Sequence, residues 1–68
     1  MYTFDTNKRE DYLKGRTITY MAKEIGIGRQ YLCEVLLQKH KIKKPLAYIM
    51  TKMSNAEKEI EDYFIKIV

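Results

Sequence analysis

The sequence predicts an all-α fold of five short helices. Apolar residues recur at three- and four-residue spacing in successive segments, and no segment alternates convincingly with a period of two. The glycines and the one proline fall between those segments, where they can start or end a helix. They are Gly15, Gly26, Gly28 and Pro45. Because the chain has 68 residues, we expect residues 1–68 to form one small domain.

The first helix is predicted over about residues 7–14. Asp5 or Thr6 can accept hydrogen bonds from the first backbone N–H groups of this helix, and Gly15 can end it. We expect Phe4 to pack just ahead of this cap.

The second and third helices are predicted on either side of a glycine turn. Thr17 is a good N-cap for the second helix, and Gly26 suits the left-handed position that ends it. The apolar face of the second helix comprises Ile18, Met21, Ala22 and Ile25. The third helix starts near Gly28, and Ile27 can fill the space between the two helices. Its buried face comprises Leu32, Val35 and Leu36, and its opposite side comprises Gln30, Cys33, Glu34 and Leu37.

The fourth and fifth helices complete the predicted domain. The fourth starts near Lys43–Pro45, because proline is tolerated in the first turn of a helix. Its apolar stripe comprises Leu46, Ile49, Met50 and Met53. The fifth is predicted over about residues 55–67, because Ser54 and Glu57 match a Ser-x-x-Glu capping box. Its inner face comprises Ala56, Ile60, Tyr63, Phe64 and Ile67.

The composition argues against several kinds of site. Cys33 is the only cysteine and His40 the only histidine, so we expect no disulfide within the chain, no zinc site and no other cofactor. We expect His40 to be an ordinary loop residue. No apolar run approaches the roughly 20 residues that span a bilayer, and the N-terminus is unlike a targeting segment. We therefore predict no membrane partner and a cytoplasmic location.

Charge is distributed unevenly along the chain. Residues 16–53 carry eight basic and two acidic side chains, whereas residues 54–68 carry two basic and four acidic ones. A basic middle segment is typical of a protein with one surface that faces a polyanion. The simpler alternative is an ordinary set of surface lysines.

A spacing of small and apolar residues indicates a helix-turn-helix unit over about residues 17–37. The pattern is Ala-x3-Gly-Ile-x4-Leu-x2-Val, which starts at Ala22 and ends at Val35. A small residue at Ala22 lets the two helices cross closely, and Gly26 supplies the turn between them.

The stretch Thr17–Leu36, TITYMAKEIGIGRQYLCEVL, resembles the lambda-repressor-like family of Cro- and XRE-type regulators. The resemblance extends over most of the chain and implies a compact five-helix domain that binds operator DNA as a two-fold dimer. It also implies that the second helix of the motif enters the major groove. Three positions depart from the family pattern: Ile18 stands where Gln is frequent, Gly28 where Ser or Thr caps the helix, and Leu36 where Glu pairs with an Arg.

The early residues of the third helix are predicted to read base edges in the major groove. Arg29 can donate two hydrogen bonds to guanine, and Gln30 can pair with adenine. Further along the helix, Glu34 can accept from a cytosine amine or orient Arg29, and Leu37 can touch a thymine methyl group. Cys33 lies on the same side. The alternative for all five residues is a solvated helix face.

Contacts to DNA phosphates are predicted from the segments on either side of this face. The candidates on the two motif helices are Thr17, Thr19, Tyr20, Lys23 and Tyr31. The candidates in the following loop are Lys39, Lys41, Lys43 and Lys44.

The predicted fifth helix carries apolar residues outside its inner stripe. Exposed apolar groups at the end of a small domain often mark an association surface, so we predict a homodimer through this helix, with or without help from the fourth. The predicted interface residues are Tyr63, Phe64, Ile65, Ile67 and Val68. The alternative is that these terminal residues fray or fold back onto the core.

Together these patterns predict a sequence-specific transcriptional regulator of phage or mobile-element repressor type, which binds double-stranded DNA in a prokaryotic or phage-infected cell. No constellation of catalytic residues is apparent, so we predict that the protein is not an enzyme. One alternative is a small protein-binding inhibitor, of anti-nuclease or antitoxin type, on the same fold. Another is an architectural factor that bends DNA.

Overall fold

The computed structural model describes residues 1–68, in which four α-helices accompany a two-stranded antiparallel sheet. The elements in chain order are β1 (Tyr2–Phe4), a 3-10 turn (Thr6–Lys8), α1 (Arg9–Leu13), α2 (Ile18–Ile25), α3 (Arg29–Leu36), α4 (Lys44–Ser54), a second 3-10 turn (Ile60–Asp62) and β2 (Phe64–Lys66). The predicted all-α fold of five helices is therefore wrong. The sheet joins the two ends of the chain, and the fifth helix does not form.

The segment predicted as the fifth helix folds as a 3-10 turn followed by a strand. α4 continues through Ser54, and Asn55 is extended with φ −155°, so Ser54 cannot be the N-cap of a new helix. β2 instead pairs with β1 in a register that sets Phe64 opposite Phe4. The aromatic and β-branched residues at this end of the chain favour a strand, but the strand needs a partner from the opposite end of the sequence.

β1 is missing from the sequence-based prediction because three residues are too few to reveal a period of two. Tyr2 and Phe4 are buried and Thr3 between them is half-buried, as the alternation of a strand requires. Phe4, directly ahead of the Asp5 cap, is fully buried in the core, as expected. Its ring meets the rings of Tyr12 and Phe64 edge-on, each at a centroid distance of 5.4 Å.

The predicted start of the second helix is confirmed by its cap, whereas α1 starts at Arg9, two residues later than predicted and without a side-chain cap of its own. Oδ1 of Asp5 accepts a hydrogen bond from the N–H of Asn7 at 3.0 Å, although the chain begins here as a 3-10 turn before α1. Oγ1 of Thr17 accepts from the N–H of Tyr20 at 3.0 Å, which caps α2. α1 ends one residue earlier than expected, because Lys14 already adopts a left-handed conformation with φ 50°.

α4 starts where it was predicted, but its buried face is only partly the predicted one. Met50 is buried, whereas Ile49 and Met53 are 42% and 46% exposed. α4 packs against α1 and α2, and its small buried residues are Ala47, Thr51 and Ser54. Small side chains let the helices approach closely, and the buried Thr51 hydroxyl is satisfied because it donates to the carbonyl of Ala47 at 2.8 Å.

Candidate nucleic-acid interface

The turn between α2 and α3 sets the direction in which α3 leaves the core. Gly26 is left-handed with φ 88°, and the carbonyl of Ala22 accepts from the N–H groups of Gly26 and Ile27 at 2.8 and 3.0 Å. Ile27 packs, half-buried, against the core. Gly28 is extended, and its carbonyl accepts from the N–H of Leu32 at 3.0 Å. The predicted turn at Gly26 and the predicted start of α3 are both confirmed.

α3 packs one face against α2 and leaves the other face open to solvent. As predicted, its fully buried residues are Leu32, Val35 and Leu36. Arg29 and Gln30 are exposed at the start of the helix, and Leu37, just beyond its end, is 52% exposed. Cys33 and Glu34 are half-buried. The outer face of α3, defined here by these five residues, therefore comprises the predicted base-reading set.

Polar contacts link three residues on and beside this outer face. Nε2 of Gln30 donates to Oε2 of Glu34 at 2.9 Å, and Nε2 of His40 lies 2.6 Å from Oε1 of the same carboxylate. The hydrogen bonds from Gln30 and His40 lower the pKa of the Glu34 carboxyl from its ordinary value. Glu34 is thus engaged with these two side chains rather than with Arg29.

His40 is the member of this group that the sequence did not predict. It lies beyond the end of α3, and no sequence motif relates a histidine to a carboxylate six residues earlier. Its ring also lies against the ring of Tyr31, with a centroid distance of 5.1 Å and an angle of 38° between the planes. His40 therefore joins Tyr31, a predicted phosphate contact, to Glu34, a predicted base reader.

The end of α3 holds the following loop in place. Gln38 is left-handed with φ 64°, and its N–H donates to the carbonyl of Val35 at 3.0 Å. The N–H of Lys39 donates to the carbonyl of Glu34 at 2.9 Å, and these two bonds form a Schellman C-cap. The side chain of Gln38 adds a third anchor, because its Nε2 donates to the carbonyl of Phe4 in β1 at 2.7 Å.

The far end of the same loop is also attached to β1. Ile42 is buried, and it exchanges two backbone hydrogen bonds with Tyr2 at 2.7 and 2.8 Å. His40 therefore lies between two fixed points, although it belongs to no helix or strand.

The predicted phosphate-contacting residues that precede and follow α3 in the sequence lie at the surface. Those of α2 and its cap are all exposed, namely Thr17, Thr19, Tyr20 and Lys23. The lysines that follow α3 are also exposed, namely Lys39, Lys41, Lys43 and Lys44. The two ion pairs of the protein are Glu34–His40 and Lys52–Glu59, so Arg29 and these lysines have no carboxylate partner. The positive charge beside α3 is therefore not neutralised within the chain.

The predicted dimer residues fall into two groups. Tyr63 and Phe64 are 0% and 3% exposed and belong to the protein's own core, so they have no surface to offer a second copy. Ile65 and Val68 are exposed, and Ile67 is half-buried with its N–H bonded to the carbonyl of Met1 at 2.8 Å. The predicted interface along a helix is wrong, because these residues form a strand and its continuation.

A second exposed apolar group lies on α4. It comprises Tyr48, Ile49 and Met53, which are 51%, 42% and 46% exposed. The sequence-based prediction assigned Ile49 and Met53 to the core and named no residue of this helix in the dimer interface.

No helix of the structure combines the length and apolar character needed to cross a membrane. No group of three or more histidine, cysteine, aspartate or glutamate side chains is placed to hold a metal ion.

The outer face of α3 and the lysine-bearing loop after it form the candidate functional site. No protein-family model, curated protein or solved structure matches the chain.

Proposed function

We propose that the protein is a sequence-specific DNA-binding regulator of transcription that inserts the outer face of α3 into the major groove. Its mode of action would be that of a phage or mobile-element repressor in a prokaryotic cytoplasm, which occupies an operator on double-stranded DNA. The resemblance of Thr17–Leu36 to lambda-repressor-like regulators supports this proposal.

One observation carries the proposal most strongly. Arg29 and Gln30 are exposed at the start of a helix that is packed onto the core by Leu32, Val35 and Leu36. The first side chains of a recognition helix reach furthest into the groove, and arginine and glutamine pair with guanine and adenine respectively. The unpaired lysines after α3 would then meet the phosphates beside the groove.

The experiment that tests the proposal is selection of preferred sites from random DNA duplexes, repeated with Arg29→Ala and Gln30→Ala. Each substitution should relax the preference at one base pair, with a loss of discrimination of roughly 5- to 150-fold at that position. Lys41→Ala should instead weaken binding to all duplexes alike and lower the salt dependence of affinity by about one unit in log–log slope.

Lys8→Ala is the charge-matched control, since Lys8 is exposed in the first 3-10 turn and outside the candidate site. It should leave the base preference unchanged. Wild-type base preference in both the Arg29→Ala and the Gln30→Ala variant would rule out the outer face of α3 as the surface that reads bases.

A homodimer is part of this proposal, because two copies of α3 could then contact two half-sites about one DNA turn apart. Exposed Ile65 and Val68, and the apolar residues of α4, are surfaces through which copies could associate. Sedimentation of the protein with a selected duplex should give two protein chains per duplex. A ratio of one chain per duplex would remove the dimer from the proposal.

The exposed apolar side chains of α4 favour a second candidate, an inhibitor that binds another protein. Tyr48, Ile49 and Met53 could contact such a partner without involving α3. A stable stoichiometric complex with a host protein, measured by size and accompanied by no DNA preference, would favour this second function over the first.

A further inference from the structure

We infer that His40 is a positioning residue that orients Gln30 for base reading through the carboxylate of Glu34. The inference rests on the proposed function, because Gln30 is the group whose orientation matters to a base edge. Three side chains make up the positioning chain, which is defined here as Gln30, Glu34 and His40.

The carboxylate of Glu34 lies at the centre of the positioning chain and has both oxygens engaged. Oε2 accepts from Nε2 of Gln30 at 2.9 Å, and Oε1 lies 2.6 Å from Nε2 of His40. An imidazole that carries hydrogen on Nε2 can donate that hydrogen to this carboxylate oxygen. Glu34 therefore holds the Gln30 side chain in position rather than contacting cytosine.

His40 can act in this way because its own position is determined from outside α3. The loop is fixed at Gln38, whose side chain reaches the carbonyl of Phe4, and at Ile42, which pairs with Tyr2. The ring of Tyr31 then limits the orientation of the imidazole, at a centroid distance of 5.1 Å. The placement of Gln30 is thus connected to β1 through the loop.

The restraint on Gln30 suits the recognition of adenine. One hydrogen of Nε2 is used by Glu34, which leaves the second amide hydrogen and Oε1 available to a base edge. Glutamine recognises adenine by donating one hydrogen bond and accepting another, so both required groups remain. A side chain that is already ordered loses less conformational freedom on binding.

Two substitutions of His40 separate its donor group from its ring. His40→Phe keeps a ring against Tyr31 but removes the N–H donor, whereas His40→Gln keeps an N–H donor and loses the ring. In competition between the selected duplex and one altered at the base pair read by Gln30, His40→Phe should reduce discrimination about 3- to 10-fold. His40→Gln should retain most of it, and affinity for unrelated duplexes should not change with either variant.

The decisive control is the same His40→Phe substitution in a Gln30→Ala background. If His40 acts through Gln30, the second substitution should cause no further loss of discrimination at that base pair. An equal loss in both backgrounds, or equal behaviour of His40→Phe and His40→Gln, would overturn the inference.

An NMR measurement on the protein without DNA tests the positioning separately from DNA recognition. His40→Phe should shift the side-chain amide signals of Gln30 and make that group more mobile, while the amide of Gln38, bonded to Phe4, serves as an internal reference. Unchanged Gln30 signals would overturn the inference even if the wild-type protein selects a DNA sequence. An absence of sequence selection by a wild-type protein whose Gln30 is ordered would instead overturn the proposed function.

Discussion

Two fully buried tyrosines, Tyr12 and Tyr63, differ in what their hydroxyl groups do. Their rings meet edge-on at a centroid distance of 5.1 Å and an angle of 88°, so both contribute apolar surface to the same part of the core. The hydroxyl of Tyr12 donates to the carbonyl of Met50 at 2.8 Å, whereas the hydroxyl of Tyr63 has no hydrogen-bond partner. A buried polar group without a partner destabilises the folded state, and a satisfied one does not.

This difference predicts opposite effects for the same substitution. Tyr63→Phe should raise the free energy of unfolding by about 1 kcal/mol, because it removes an unsatisfied buried hydroxyl. Tyr12→Phe should lower it by about 1 kcal/mol, because it removes a hydrogen bond between α1 and α4. Urea denaturation followed by circular dichroism measures both changes. Changes of the same sign in the free energy of unfolding would contradict the difference assigned to the two hydroxyl groups.

At the scale of elements, Arg16 joins the ends of two helices. Its Nε donates to the carbonyl of Leu13 at 2.8 Å, and one terminal nitrogen donates to the carbonyls of Tyr12 and Ser54 at 2.9 and 3.1 Å. These carbonyls belong to the last turns of α1 and α4. Carbonyl groups in the last turn of a helix find no N–H partner within that helix. A cation is also favoured at the C-terminal end of a helix dipole.

The planar guanidinium of Arg16 should be necessary for this contact. Arg16→Lys keeps the charge but cannot reach both helix ends in the same geometry, so we expect a loss of roughly 1–3 kcal/mol in the free energy of unfolding. Arg9→Lys is the matched control, because Arg9 is a partly exposed residue of α1 outside this contact. It should change stability by less than about 0.5 kcal/mol. Equal effects of the two substitutions in thermal melts would contradict the assignment.

The two glycines of the turn between α2 and α3 predict a second pair of opposite effects. Gly26→Ser should destabilise by roughly 1–2 kcal/mol, because φ is 88° there and a Cβ is penalised in that conformation. Gly28→Ser should stabilise by several tenths of a kcal/mol, since Gly28 is extended, has open space for a Cβ and lacks a side-chain cap.

Chemical denaturation of both serine variants provides the comparison. A destabilised Gly28→Ser variant would mean that the start of α3 requires glycine for a reason other than backbone conformation. A neutral Gly26→Ser variant would contradict the argument from the left-handed turn.

At the scale of the whole molecule, the sheet makes the two ends of the chain depend on each other. β2 lies on β1, and Phe64 packs edge-on against Phe4 in the core. β1 in turn holds the loop after α3 through Tyr2 and Phe4. The C-terminal residues therefore support the candidate DNA-binding site through β1, although they lie outside it in the sequence.

Removal of residues 64–68 should unfold the protein. Loss of a buried phenylalanine alone costs roughly 3–5 kcal/mol, which approaches the whole stability of about 3–10 kcal/mol expected for a domain of this length. Removal of Val68 alone is the control, since this side chain is fully exposed and should contribute little. Circular dichroism would show whether the helices persist. A folded protein that lacks residues 64–68 would show that β2 is dispensable.

The features that could be predicted from the sequence are those with local causes. Thr17 caps α2 through a hydroxyl three residues from its partner, and Gly26 ends α2 because of its own backbone conformation. The burial of Leu32, Val35 and Leu36 follows from the period of one helix. The start of α3, its buried face and the exposure of Arg29 and Gln30 were therefore accessible from the sequence.

The tertiary structure alone decided the features that depend on distant partners. The spacing of Ile60, Tyr63 and Phe64 fits a helix, but the segment forms a turn and a strand because β1 lies beside it. The partner of Glu34 is likewise determined by a loop that Phe4 and Tyr2 anchor. Sequence alone determined α2, the turn at Gly26 and α3, since the caps and the apolar period act within a few residues. It did not determine the sheet or the positioning chain, because both require the two ends of the chain to meet.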